Sequence, residues 1–130
     1  MTVLLLARTG EQQLAHKKAL EAAGFRVVWP EGKKEALRLI SDRSFTVSVL
    51  CYSLSSETAQ ELAEVIKQTY PECPLITVSE TGVEDTKLAA DDRVALSDGA
   101  AALVRAVMKA ASQVAAREED VHLSRKSMAP

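Results

Sequence analysis

The chain reads as a single α/β domain built on a five-stranded parallel sheet with helices on both faces. Three observations predict this. Five short apolar runs of strand length alternate with helix-patterned segments, the signature of a parallel sheet with crossover helices. The first run, residues 3–7, is apolar throughout, as expected of a strand covered on both sides. A length of 130 residues suits one domain that buries most of its apolar surface without staples.

Residues 3–7 form the first strand. A helix follows from Thr9-Gly10 to about residue 23, with Leu14, Ala15, Ala19, Ala22 and Ala23 near 3.6-residue spacing. Gly24 ends it, since glycine just past a helix tolerates the left-handed turn. Residues 25–29 make the second strand, which closes on Trp29 and Pro30. Trp29, the only tryptophan, is expected to pack partly on the sheet edge. A second helix covers about residues 31–41, with Ala36, Leu37 and Ile40 inward. Residues 46–51 form the third strand, which ends on Cys51.

Ser56 and Glu57 suit the start of the third helix. Its inward face carries Ala59, Leu62, Ala63, Ile66 and Tyr70, and Pro71 ends it. Residues 74–78 form the fourth strand. The stretch from Ser79 to residue 92 is polar and weakly patterned, with room for one short helix. Residues 93–96 form a brief fifth strand. Ser97-Asp98 then caps a last helix with an apolar stripe of Ala100, Leu103, Val104, Val107, Ala111 and Val114. Beyond Arg117 the pattern fades, which predicts a frayed tail over 118–130 after a domain spanning 1–117. Right-handed crossovers leave few topologies, and the expected strand order is 2-1-3-4-5, the flavodoxin-like three-layer sandwich.

Composition excludes several function classes. Charge is nearly balanced, with 16 basic and 18 acidic residues and a net charge of −2. Nucleic-acid binding needs basic residues clustered on one face, and none is evident. The opening apolar run meets Arg8 at once and lacks a basic leader, so no signal peptide is read. No run approaches a membrane span. A cytoplasmic protein is expected. Cys51 and Cys73 fall at opposite poles of the predicted sheet, so two free thiols are expected rather than a disulfide.

Ligands in such sheets sit above the carboxyl ends of the strands. The residues there are Ala7-Arg8-Thr9-Gly10, Cys51-Tyr52-Ser53, Ser79-Glu80 and Ser97-Asp98. His16 falls within the first helix and His122 in the tail, so no Ser/His or Cys/His catalytic pair is read.

Several segments together resemble one family. They are Val3-Leu4-Leu5-Leu6, the run Ala19-Leu20-Glu21-Ala22-Ala23-Gly24-Phe25-Arg26-Val27, and Gly32 with Glu35-Ala36-Leu37. Val49-Leu50-Cys51-Tyr52-Ser53-Leu54 and Pro74-Leu75-Ile76-Thr77-Val78-Ser79 complete the set. In order and spacing the chain to about Ala115 resembles the receiver domain of two-component response regulators. The resemblance implies phosphorelay signalling, with an acidic pair holding Mg²⁺ after the first strand and a phospho-accepting Asp ending the third. It also implies a hydroxyl after the fourth strand, an aromatic on the fifth and a Lys beyond it.

The sequence departs from that pattern at nearly every point. Ala7-Arg8 replaces the acidic pair, and Cys51 stands at the phosphoacceptor position. Val94 takes the aromatic position, Ser97 the lysine position, and Ser79 alone keeps its type. Phosphoryl transfer to a carboxylate needs an oxygen nucleophile and a cation to neutralise the phosphate. Ala7 offers no ligand, and Arg8 adds a permanent positive charge. Neither a metal nor any other cofactor is therefore expected, and no enzymatic activity.

The resulting expectation is a degenerate pseudo-receiver that signals by protein–protein contact, through the faces of its first and last helices. Its partner would be a signalling kinase, a regulator or an output protein. A homodimer through the last helix and strand is a further option. The alternative is a thiol-based sensor, or a small anion- or nucleotide-binding flavodoxin-like protein, built on Cys51 and Arg8. Against it, Cys51 suits a small buried hydrophobe, and Arg8 suits an ion pair with Glu80 or Asp98. The Lys17-Lys18 and Lys33-Lys34 pairs read as solvated helix faces.

Overall fold

Five apolar runs become strands β1 (Thr2–Leu6), β2 (Arg26–Val28), β3 (Val47–Cys51), β4 (Leu75–Ser79) and β5 (Asp92–Ala95) in a computed structural model of the chain. The structure describes residues 1–8, 10–51, 55–79 and 90–128, and of Gln12, Ser56 and residues 117–128 the backbone alone. All pairings are parallel, in the order β2-β1-β3-β4-β5 that the sequence predicts. Helices α1 (Glu11–Ala22), α2 (Lys33–Asp42), α3 (Ser56–Thr69) and α4 (Gly99–Met128) cover the sheet.

Alternation along the strands divides the core in two. Val3 and Leu5 of β1 and Val47, Val49 and Cys51 of β3 face Leu20 of α1 and Leu103, Val107 and Ala111 of α4. Leu4 and Leu6 of β1, Leu50 of β3 and Leu75 of β4 face Ala36 and Ile40 of α2 and Leu62 and Ile66 of α3. The sheet is therefore the middle of three layers.

Helix ends follow local chemistry. Gly24, at φ 99°, ends α1 as expected: its N–H donates to the carbonyl of Glu21, and that of Phe25 donates to Leu20. α3 begins at Ser56, as the sequence suggests, and its cap is Ser55. Its hydroxyl oxygen accepts the N–H of Thr58 at 3.2 Å, while Ser56 is already helical.

Three expectations are corrected. The inward face of α1 is not Leu14, Ala15, Ala19, Ala22 and Ala23. Gln13, His16 and Leu20 are buried instead, and Leu14 is 42% exposed. The alanine spacing suits either side of the helix, and the large Leu20 decides which side meets the core. Secondly, Ser97 and Asp98 do not cap α4. They stand in a 3-10 turn over Leu96–Asp98, and Gly99 at φ 83° begins the helix. Thirdly, residues 118–128 are helical rather than frayed. No Gly or Pro interrupts that stretch, so nothing in the backbone stops a helix already begun. The short helix expected within residues 80–89 lies outside the described residues.

Candidate functional site at the strand tips

The tips of β1, β3, β4 and β5 gather the residues that the sequence singles out. Cys51 ends β3 and is 2% exposed. Its register partner on β4 is Val78, and that of Val78 on β5 is Val94. All three are buried in the core cluster beneath α1 and α4, and Ala7 packs against it. The tip thus continues the hydrophobic core as an apolar row across three strands. Burial pushes the Cys51 thiol up to about 12, because an apolar site disfavours the thiolate. A thiolate nucleophile or sensor has no support from these surroundings.

Beside the row, the half-buried Trp29 donates its indole N–H to the carbonyl of Ala7 at 2.9 Å. This bond ties the loop after β2 to the end of β1. A cavity of about 50 Å³ next to it is lined by Leu6, Ala7, Pro30, Ala36, Thr58 and Leu62, among others. Lys33 also lines it, and its ammonium pairs with Glu61 of α3 at 2.6 Å. Among the described residues, no group of three or more His, Cys, Asp or Glu side chains is placed to hold a metal ion.

No protein-family profile matches the chain, and no curated protein matches it. Its backbone does match solved structures. A response regulator from Thermotoga maritima superposes with a TM-score of 0.72 at 23% identity, over 85% of this chain and 97% of that one. A CheY-like receiver domain protein from Methanospirillum hungatei JF-1 gives 0.75 at 18% identity, over 89% of this chain and 97% of that one. The chain has the response-regulator receiver fold. NtrX from Brucella abortus, solved in complex with ADP, gives 0.81 at 19% identity, over 99% of this chain. The chain spans only 30% of NtrX.

Within this receiver fold the predicted tip residues separate into two groups. Ala7, Cys51 and Val94 join one apolar surface, and Val78, which in sequence is only a strand residue, completes it. Ser79 is 8% exposed and is the last residue of β4, paired with Ala95, rather than the first residue of a loop. Arg8, Ser97 and Asp98 are exposed. Glu80, Thr9, Tyr52 and Ser53 lie outside the described residues, so the expected Arg8–Glu80 pair does too. Cys73 sits at the other pole of the sheet, as the sequence expects. Its thiol lies 3.4 Å from the carbonyl of Thr46, just before β3, and both thiols are free.

Trp29 and Lys33 are the tip residues whose roles the sequence hides. A lone tryptophan before proline was a visible signal for Trp29, but not for its acceptor 22 residues away. Lys33 reads as solvated in sequence, and the pairing with Glu61 appears only once α2 packs on α3.

Proposed function

We propose that this chain is a signalling receiver with a closed pocket, which acts through protein–protein contact and is not phosphorylated. The observation that carries the reading is the apolar row Cys51, Val78 and Val94 at the strand tips. A phosphoacceptor must present an oxygen nucleophile to solvent beside a cation site. Cys51 presents a buried thiol, and its neighbour Ala7 has its carbonyl engaged by Trp29. The reading is supported by the family resemblance, on which Cys51 would stand at the acceptor position and Ala7-Arg8 at the metal position.

In this reading the protein catalyses no reaction and binds no metal or other cofactor. It works in the cytoplasm by presenting its helical surface to a kinase, a regulator or an output protein. The β5–α4 face suits such contact. A groove of about 260 Å³ there is lined by Asp92, Asp98, Arg93, Arg105 and Lys109 around Val94 and Ala102. Mixed charge around an apolar floor gives orientation without strong self-repulsion.

The test is incubation with acetyl phosphate and Mg²⁺ followed by intact-mass measurement, with a phosphorylatable receiver treated in parallel. The control gains one phosphoryl group and this chain gains none. A phosphoryl adduct on the native chain overturns the proposal.

A further inference from the structure

Helix α1 is turned against its own composition. Gln13 and His16 face inward at 5% exposure each, whereas Leu14, Ala15 and Ala22 face solvent. Leu20 is the one apolar side chain of α1 in the buried core cluster, among the described side chains. Among the described side chains of α1, the buried ones are one leucine and two polar groups.

One of those polar groups is unsatisfied. Nδ1 of His16 is buried and has no hydrogen-bond partner. Buried polar atoms in native structures are nearly always paired, so an orphan calls for a physical account. α1 packs against α4 and β2. The charged side chains described on those elements are Arg105 and Lys109 of α4 and Arg26 of β2, all cationic and exposed. On α1 itself Lys17 is half-buried, and Glu11, Lys18 and Glu21 are exposed. The sheet surface under α1 and α4 is apolar. No carboxylate described on α4 or β2 is there to balance a positive ring.

We propose that His16 is a proton-operated latch on α1: the neutral ring seats the helix against α4, and the imidazolium releases it. A proton taken from solvent makes both ring nitrogens donors and adds a full charge that no described carboxylate of α4 or β2 compensates. Release lets the ring hydrate, and the outward face of α1 moves with it. Burial lowers the pKa of His16 from its ordinary 6.5, in line with this geometry. The sign follows: the seat is complete above the free-ring value and weakens as pH falls below it, because the released state binds the proton more readily. The latch does not depend on whether the strand-tip pocket is phosphorylated.

Hydrogen–deuterium exchange on the full chain tests it, from about pH 7.5 to about pH 5.5, the range over which a histidine changes charge, with intrinsic exchange rates corrected. Amides of α1 should lose protection on acidification while those of α3 keep theirs. The loss should approach roughly tenfold for each unit by which burial lowers the ring's pKa. In His16→Phe the α1 profile should be flat with pH, and His122→Gln should behave as the native chain. If His16→Phe does not fold, His16→Gln serves as the non-titrating variant. Parallel loss of protection in α1 and α3, or a native-like pH response without His16, overturns the latch.

Discussion

The indole N–H of Trp29 is bonded to the carbonyl oxygen of Ala7 at 2.9 Å, which joins β1 to the loop beyond its edge neighbour β2. The bond holds the backbone at the strand tip that the family resemblance assigns to metal binding. Trp29→Phe keeps most of the apolar ring and removes the donor. It should lower stability by about 1 kcal/mol, measured by urea unfolding followed by circular dichroism, since the fluorescent probe is removed. An unchanged unfolding midpoint would show that this bond contributes nothing.

Restoring the acid alone should not restore the chemistry. Cys51→Asp places a carboxyl in the apolar row beside Val78, where the charged form has lost its solvation. The variant should be destabilised by about 1–3 kcal/mol or more relative to the native chain. It should also take up no phosphoryl group from acetyl phosphate and Mg²⁺, because Ala7 and Arg8 supply no carboxylate to the cation. Intact mass and urea denaturation read the two outcomes separately.

The thiols should be silent in the folded protein. Burial raises Cys51 to about 12 and Cys73 to about 11 from a common starting value of 9.0. A disulfide reagent at mildly alkaline pH should modify neither thiol in the native chain and both in urea. Thiol pKa values raised by folding contribute stability that is complete below the unfolded value and is lost as pH rises through the folded values. The unfolding midpoint should therefore fall from pH 9.0 upward, and Cys51→Ala should flatten part of that slope.

Asp91 fastens the edge strand. Its carboxylate accepts the N–H of Leu75 at 2.8 Å and the ammonium of Lys67 at 3.1 Å, while its own N–H donates to the carbonyl of Leu75 at 2.8 Å. Asp91→Ala should cost about 1–3 kcal/mol, since the Leu75 N–H loses a charged acceptor. Lys67→Met should cost under about 1 kcal/mol, because the ion pair is partly exposed. Equal costs for the two substitutions would refute the assignment of the main contribution to the backbone bond.

The sheet was legible because its evidence is local. β1 is apolar after Thr2 and β3 is broken only by Ser48, and such runs between helical patterns leave little choice of topology. Gly24 marked the end of α1 for a similarly local reason, a turn that needs positive φ. The burial of Cys51 followed from its place on a central strand. What the sequence hid depends on packing between distant segments. The inward face of α1 was misread because alanines fit either side of a helix, so Leu20 outweighed them. The Trp29–Ala7 bond and the Lys33–Glu61 pair arise only after strand order and helix packing bring the partners together. The far half of α4 has no apolar stripe to read, and its helicity rests on the absence of breakers.

That helix gives the protein mechanical leverage. At 1.5 Å per residue, the 30 residues of α4 run about 45 Å, whereas the five-residue strands it packs on run about 17 Å. Ala111 is the last α4 residue in the core cluster among the described side chains, and from there to Met128 the helix continues for roughly 25 Å. A tilt of about 5° where α4 leaves the sheet would sweep its far end through roughly 2 Å, as rigid-rod geometry at that helix rise requires. Small changes in how α1 and the sheet seat the near end are thereby enlarged into larger displacements of the far end.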